Sequence, residues 1–320
     1  MGEPELASLL HEHASRHSVP GAAIRVLRDG VAVTASMGVA DMTTGEPVTS
    51  ETRFAVGSLC KPMVATAIAR VAGAGCLSLD DPVAAHVPEL RGAEWAARAS
   101  VHDLLANRSR LPLRAPAGST LLSTATDLLR LAGSQLEDSS LAALRGSCQE
   151  VRIHGWLDAW CLGWARFDWD GGPVWGWDGL TSGHRAVLRL VPEQNGAAVL
   201  LTNCGTGRAL YRSIFPDIME AWFGVHLPPL RLEPSGGAAG DLSRFAGVYA
   251  WPDLLWEVTA TDTSLIFERG DRTVEGLPVD ERTFLVDAGD PDTPTVTFAG
   301  FDDDGRPGVL YDMIWGLTRA

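Results

Sequence analysis

Residues 54–71 read FAVGSLCKPMVATAIARV and hold the chain's one lysine, Lys61, three positions after Ser58. Every other basic residue among the 26 is arginine, which raises the question of what an amine does at this position. A serine hydroxyl is a weak nucleophile until a neighbouring base takes its proton. Residues i and i+3 are neighbours on a helix face, so a helix here sets the amine beside the hydroxyl. The amine must be neutral to act as a base, and burial in a dry cleft disfavours the ammonium form. Ser58 is expected at the helix tip, where unpaired backbone N–H groups and the helix dipole stabilise a developing oxyanion. Pro62 fits that placement, since proline is tolerated in a first turn. Ser-x-x-Lys also arises by chance, but an apolar helix is a costly place for a lysine without a task.

The elements that must position this pair can be read from periodicity and turn residues. Residues 5–17 carry Leu6, Leu9 and Leu10 at helical spacing. GAAIRVLRDGVAVTASMGVAD reads as two strands joined at Asp29-Gly30, a hairpin signal. An apolar helix over 58–74 ends at GAG. Helical stretches follow at 101–109 and 123–136, the latter with Ser123 and Asp127 suited to its start. From 161 onward turn residues alternate with short apolar runs, as in antiparallel strands, before ALYRSIFPDIMEAWFGV returns to a helix. Residues 228–241, PPLRLEPSGGAAGD, read as a linker, and the remainder looks all-β. The expected architecture is an α+β domain over 1–230 and a small β domain over 231–320.

Composition narrows the partners. A net charge of −14 argues against nucleic acid and against an anionic membrane surface, and simple solubility is its ordinary reading; the expected partner is a small-molecule substrate. The N-terminus has no apolar signal-peptide core, and no run is long enough to span a membrane. Cys60, Cys76, Cys148, Cys161 and Cys204 are odd in number and form no CxxC pair. Reduced thiols in a cytoplasmic protein are the expectation, with no metal and no cofactor. The oligomeric state is not legible.

VPGAAIRVLRDG, GVADMTTGEPVTSETRFAVGSLCKPMVATAIARV and LSLDDPVAAHVPEL resemble the class C β-lactamase and penicillin-binding-protein-like serine hydrolases. That family includes β-lactamases, D-amino-acid peptidases, esterases and acyltransferases. The resemblance implies a β-lactamase-like antiparallel sheet flanked by helices, Ser58 as the acylated nucleophile and Lys61 as its proton partner. It also implies a second oxyanion donor, the backbone N–H of Leu180, beside that of Ser58. LSRFAGVYA resembles the lipocalin-like β domain often appended to such hydrolases.

The pattern breaks in two places. The family's Tyr-x-Asn motif has no counterpart, because the three tyrosines are Tyr211, Tyr249 and Tyr311. VHDLLANRSRLPL runs almost directly into GSTLLSTATDLLRLA, so a helical insert is missing and the cleft is expected to be wide. In WGWDGLTSGH, Trp177 stands where the family has lysine or histidine, followed by Asp178. An aromatic ring cannot supply the cation that β-lactamases use for a substrate carboxylate, so efficient β-lactamase activity is not expected. Trp175 and Trp177 are candidates for an aromatic substrate wall, although tryptophans more often fill cores. His184, Asp178 and His154 are candidates to assist proton transfer, with His184 favoured. Asn203 matches a family position, but ending a strand is its more natural role.

Three readings follow. The first is acyl transfer through acyl-Ser58 from an ester, thioester or amide to water, an amine or an alcohol, in specialised metabolism. The second is a catalytically degenerate ligand-binding protein on the same scaffold. The third is a lyase or isomerase that uses Lys61 as a general base.

Overall fold

The computed structural model describes residues 2–109, 111, 121–153, 156–181, 183–228, 233–235, 240–286, 295–312 and 314–320. The chain divides into two compact units, Met1–Ser78 with Ala115–Cys148 and Cys161–Pro228, and Leu79–Arg114 with Gln149–Trp160 and Pro229–Ala320.

The first unit is an antiparallel sheet covered by helices. Helix α1 (Glu3–Arg16) has acidic residues in its first turn and Arg16 in its last, and it buries Leu6 and Leu10. Strands β1 (Gly21–Arg28) and β2 (Val31–Asp41) form the expected hairpin, with Asp29 and Gly30 both at positive φ, 50° and 79°. Residues Gly57–Leu59 make one 3-10 turn that leads into helix α2 (Cys60–Gly73). Helix α3 (Ala125–Glu137) starts two residues later than the sequence suggests. Thr124 is its cap and accepts the Asp127 N–H at 3.0 Å, while Ser123 pairs with Phe54 in a short bridge of strands. Strands β3 (Ala165–Trp169), β4 (Gly172–Thr181), β5 (His184–Val191) and β6 (Gly196–Thr202) follow, then helix α4 (Gly207–Phe223).

Within this unit the strand order is β2-β1-β6-β5-β4-β3, with a two-residue strand at Glu46–Pro47 beside β2. Helix α3 covers one face, where Arg25 of β1 donates to Thr126 Oγ1. Helix α4 covers the other, where Arg28 donates to the Trp222 carbonyl. Every residue of β6 is buried, as a strand covered on both faces requires. Asn203 closes the end of β6 by donating to the carbonyls of Val39 and Ala40, at 2.8 and 3.2 Å.

The second unit contains short helices at Val83–His86, Glu94–Arg98 and Val101–Leu105, a strand pair at Gln149–Ile153 and Leu157–Trp160, and an all-β part. Eight strands from Gly247–Trp251 to Trp315–Arg319 pair antiparallel in sequence, and the first pairs with the last to close a barrel. The α+β class and the C-terminal all-β domain are as the sequence implies. The barrel's core is aromatic, built on Phe245, Tyr249, Phe267, Phe284 and Phe298, all fully buried.

The cysteines differ from expectation. Cys148 and Cys161 form a disulfide, and Cys60, Cys76 and Cys204 lie outside it. The bridge joins the two points where the chain leaves and re-enters the first unit. Its partners are thirteen residues apart without a recognisable motif, so spacing alone could not identify the pair.

Candidate active site

The site begins with a backbone constraint. Gly57 has φ +49°, a conformation that favours glycine, and it immediately precedes Ser58. The 3-10 turn and α2 then carry Ser58 and Lys61 on one side, and Lys61 Nζ lies 3.2 Å from Ser58 Oγ, within hydrogen-bond reach. Among the described residues no carboxylate forms an ion pair with Lys61. Burial holds its pKa below the ordinary 10.5, a shift that the neighbouring Cys60 opposes only in part. The arrangement favours the neutral amine, the form that can accept a hydroxyl proton.

Lys61 is also held from behind. Gly163, at φ +77°, packs against α2 so closely that a Cβ there would collide with the Ala65 methyl group and lie 3.2 Å from the Lys61 carbonyl oxygen. The disulfide partner Cys161 is two residues away, and Leu162 donates to the Leu144 carbonyl at 3.1 Å.

Strand β4 supplies the other wall. Strand β3 pairs only with Gly172–Gly176, so beyond Gly176 that edge of β4 is open to the turn bearing Ser58. A Cβ on Gly179 would strike the Val56 carbonyl and sit 3.0 Å from Leu59 N, while one on Gly57 would sit 3.0 Å from Leu180 N. Glycines at these positions let two backbones meet where a side chain would separate them. The Leu180 main chain therefore lies directly beside the turn that bears Ser58.

The pleat of β4 sorts the remaining candidates. Trp175, Trp177 and Gly179 share one face with Leu188 and Ala186 of β5, the face covered by α3. Trp177 is only 3% exposed, so its ring fills the core beneath the site instead of lining an open wall. Trp175 is half-buried, with the Arg145 guanidinium 5.8 Å from its ring centre. Asp178 points the other way, towards α4, where Arg189 Nη1 donates to its carboxylate at 2.7 Å. Alternation along the strand turns its carboxylate away from the face that carries Trp177 and Gly179.

His184 opens β5 opposite Thr181, on the Trp177 face. Its ring meets Phe54 edge-on at 6.1 Å, and its Nδ1 is buried without a partner among the described residues. Desolvation lowers its pKa and favours neutral imidazole. His154 lies outside the described residues. Among the described residues no cluster of His, Cys, Asp or Glu could hold a metal ion, and no helix is long and apolar enough to cross a membrane.

Sequence reasoning passed over Arg189 and gave Tyr211 no part in the site. Arg189 sits mid-strand in HRAVLRLV, where an arginine between leucines is the signal of a buried partner. Its guanidinium donates to Tyr211 Oη at 2.8 Å as well as to Asp178.

The sequence model of the beta-lactamase family matches residues 6–121 and 112–218. The two matched segments overlap over residues 112–121. Penicillin-binding protein 4 of Amycolatopsis lactamdurans is 31% identical over 153 residues, 43% of this chain and 40% of that protein. Esterase EstB of Burkholderia gladioli is 36% identical over 97 residues, 28% of this chain and 24% of that protein. The matched stretches thus span less than half the length of these relatives. Among solved structures, SurE with D-Leu superposes with a TM-score of 0.78 at 21% identity, covering 99% of both chains. A class C beta lactamase from Rhodobacter sphaeroides gives 0.53 at 18% identity over 67% of this chain and 99% of its own.

Proposed function

Because this chain belongs to the beta-lactamase family, we propose that it is a serine acyl-transfer enzyme in which Ser58 carries the acyl group and Lys61 handles the proton. The observation that supports this most directly is the 3.2 Å contact between Lys61 Nζ and Ser58 Oγ, with burial favouring the neutral amine. Neutral Lys61 accepts the hydroxyl proton as Ser58 Oγ bonds to the substrate carbonyl carbon. The carbonyl oxygen becomes an oxyanion held by the N–H groups of Ser58 and Leu180. Collapse expels the leaving group, which takes the proton from Lys61. Water, an amine or an alcohol then attacks acyl-Ser58, with Lys61 receiving and returning a proton a second time.

The substrate is a small-molecule ester, thioester or amide in specialised metabolism. Esterase EstB among the relatives favours an ester or thioester. The full-length likeness to SurE, a protein solved with D-Leu, favours an acyl donor or acceptor built on a D-configured aliphatic amino acid. Trp177, buried where relatives carry a cation, disfavours efficient β-lactam hydrolysis, and it is also the observation that favours the alternative of a ligand-binding protein without turnover. Labelling with a fluorophosphonate probe separates the two. Acyl transfer requires one adduct, mapping to Ser58 and lost in Ser58→Ala. A ligand-binding protein gains no mass, yet is stabilised by its ligand.

A further inference from the structure

We propose that Asp178 and Arg189 are positioning residues for the oxyanion site, holding β4 so that the Leu180 N–H stays aimed at the carbonyl carried by Ser58. The inference rests on the acyl-transfer reading above, with Leu180 as the second donor.

Arg189 is 1% exposed and ringed by Phe167, Tyr211 and Trp169, whose ring centres lie 4.3, 5.0 and 5.8 Å from its guanidinium carbon. Its Nη1 donates to Asp178 Oδ1 at 2.7 Å, to the Leu188 carbonyl at 2.9 Å and to the Trp177 carbonyl at 3.4 Å. Its Nη2 donates to Tyr211 Oη at 2.8 Å. Thus one guanidinium holds both the carbonyl of the Trp177–Asp178 peptide bond and the side chain that follows it.

Stability alone is a poor reason for such a group. Replacing a buried ion pair by well-packed apolar residues is often neutral or stabilising. The need lies in β4 itself. Past Gly176 the strand has lost β3 as a neighbour, and the glycines at 176 and 179 offer no side chain to lock it on either side of Trp177–Asp178. Leu180 nevertheless has to keep its N–H beside the turn of Ser58, two residues beyond the pinned peptide. A clamp from the α4 face meets that need without intruding on the site, because Asp178 and Gly179 point to opposite faces.

The test uses the full chain, an ester substrate with a ¹³C-labelled carbonyl, and the variants D178N and D178L/R189M. The carbonyl stretch of acyl-Ser58, read by difference infrared spectroscopy, reports the strength of the N–H donors on that oxygen. The expected result is a shift to higher wavenumber in both variants and an acylation rate constant lower by about 10- to 100-fold, with KM little changed. Because D178L/R189M leaves Tyr211 Oη without its donor, its thermal melt is recorded beside the kinetics, and the acylation rate is read only well below the melting temperature, so that lost catalysis is not lost folding. If that variant does not fold, D178N carries the same two readouts. An unmoved band with acylation within about threefold would overturn the inference, leaving the pair a fold element only. A wild-type protein that forms no acyl-Ser58 would instead overturn the acyl-transfer reading, and this inference with it.

Discussion

Gly57 and Leu180 meet backbone to backbone, with the site of a Gly57 methyl group 2.9 Å from the Leu180 carbonyl oxygen and 3.0 Å from its nitrogen. The contact joins the turn that bears Ser58 to the strand that bears Leu180, the two residues proposed above as nucleophile and second oxyanion donor. A Gly57→Ala substitution has to strain a φ of +49° and push the strand away. The expected cost is about 1–3 kcal/mol of stability for the backbone conformation. Acylation should fall further, by about 100-fold, because a displacement of about 1 Å at a reacting centre has that effect. Stopped-flow acylation beside thermal melting separates the two effects.

Lys61 sets the pH dependence. Its folded-state pKa is lowered by burial, so the neutral base appears as pH rises through that lowered value, below 10.5. Acylation should therefore increase with pH and level off, and Lys61→Arg, which cannot deprotonate, should lose about 1,000-fold or more. Stability follows the same group. Between the lowered pKa and 10.5 the unfolded chain binds a proton that the folded protein does not, so stability rises with pH across that window. Lys61→Met removes this slope, which melts between about pH 7 and pH 10 would reveal.

The Cys148–Cys161 bridge closes a loop with a sequence separation of thirteen, for which chain entropy suggests about 3 kcal/mol of stabilisation. Unfolded without reductant, the protein should present three reactive thiols of its five cysteines. Reduction or Cys148→Ser should lower the melting temperature and loosen the Gly163 contact behind Lys61, slowing acylation. A thiol titration with five free groups would refute the bridge.

Trp177 tests the meaning of the altered third motif. If it were only a missing cation, Trp177→Lys would restore affinity for carboxylate-bearing substrates. With the ring 3% exposed, the substitution instead puts an ammonium into the core. The expected outcome is a large loss of stability, measured by denaturant titration, with no gain in turnover of a carboxylate-bearing β-lactam.

Much of the positioning machinery was legible because it is local. The hairpin at Asp29-Gly30, the apolar helix carrying Lys61 and the glycines around Trp177 each declare themselves within a few residues. What the sequence hid depends on pairings across the fold. The opposite orientations of Trp177 and Asp178 follow from the pleat once the register is known, but which face meets the site cannot be read from WGWDGL. The Arg189–Tyr211 contact spans a strand, a turn and a helix, and the disulfide unites cysteines with no motif between them. The Thr124 cap differs from the expected Ser123 by one position because the preceding serine is used by a strand.

The aromatic filling of the C-terminal barrel has its own consequence. Among the described residues, Phe245, Tyr249, Phe284 and Phe298 meet ring against ring, so the protein's own side chains pack the interior that a larger barrel would leave for a hydrophobic guest. Hydrogen-bonded closure likewise leaves no first or last strand for another polypeptide to extend.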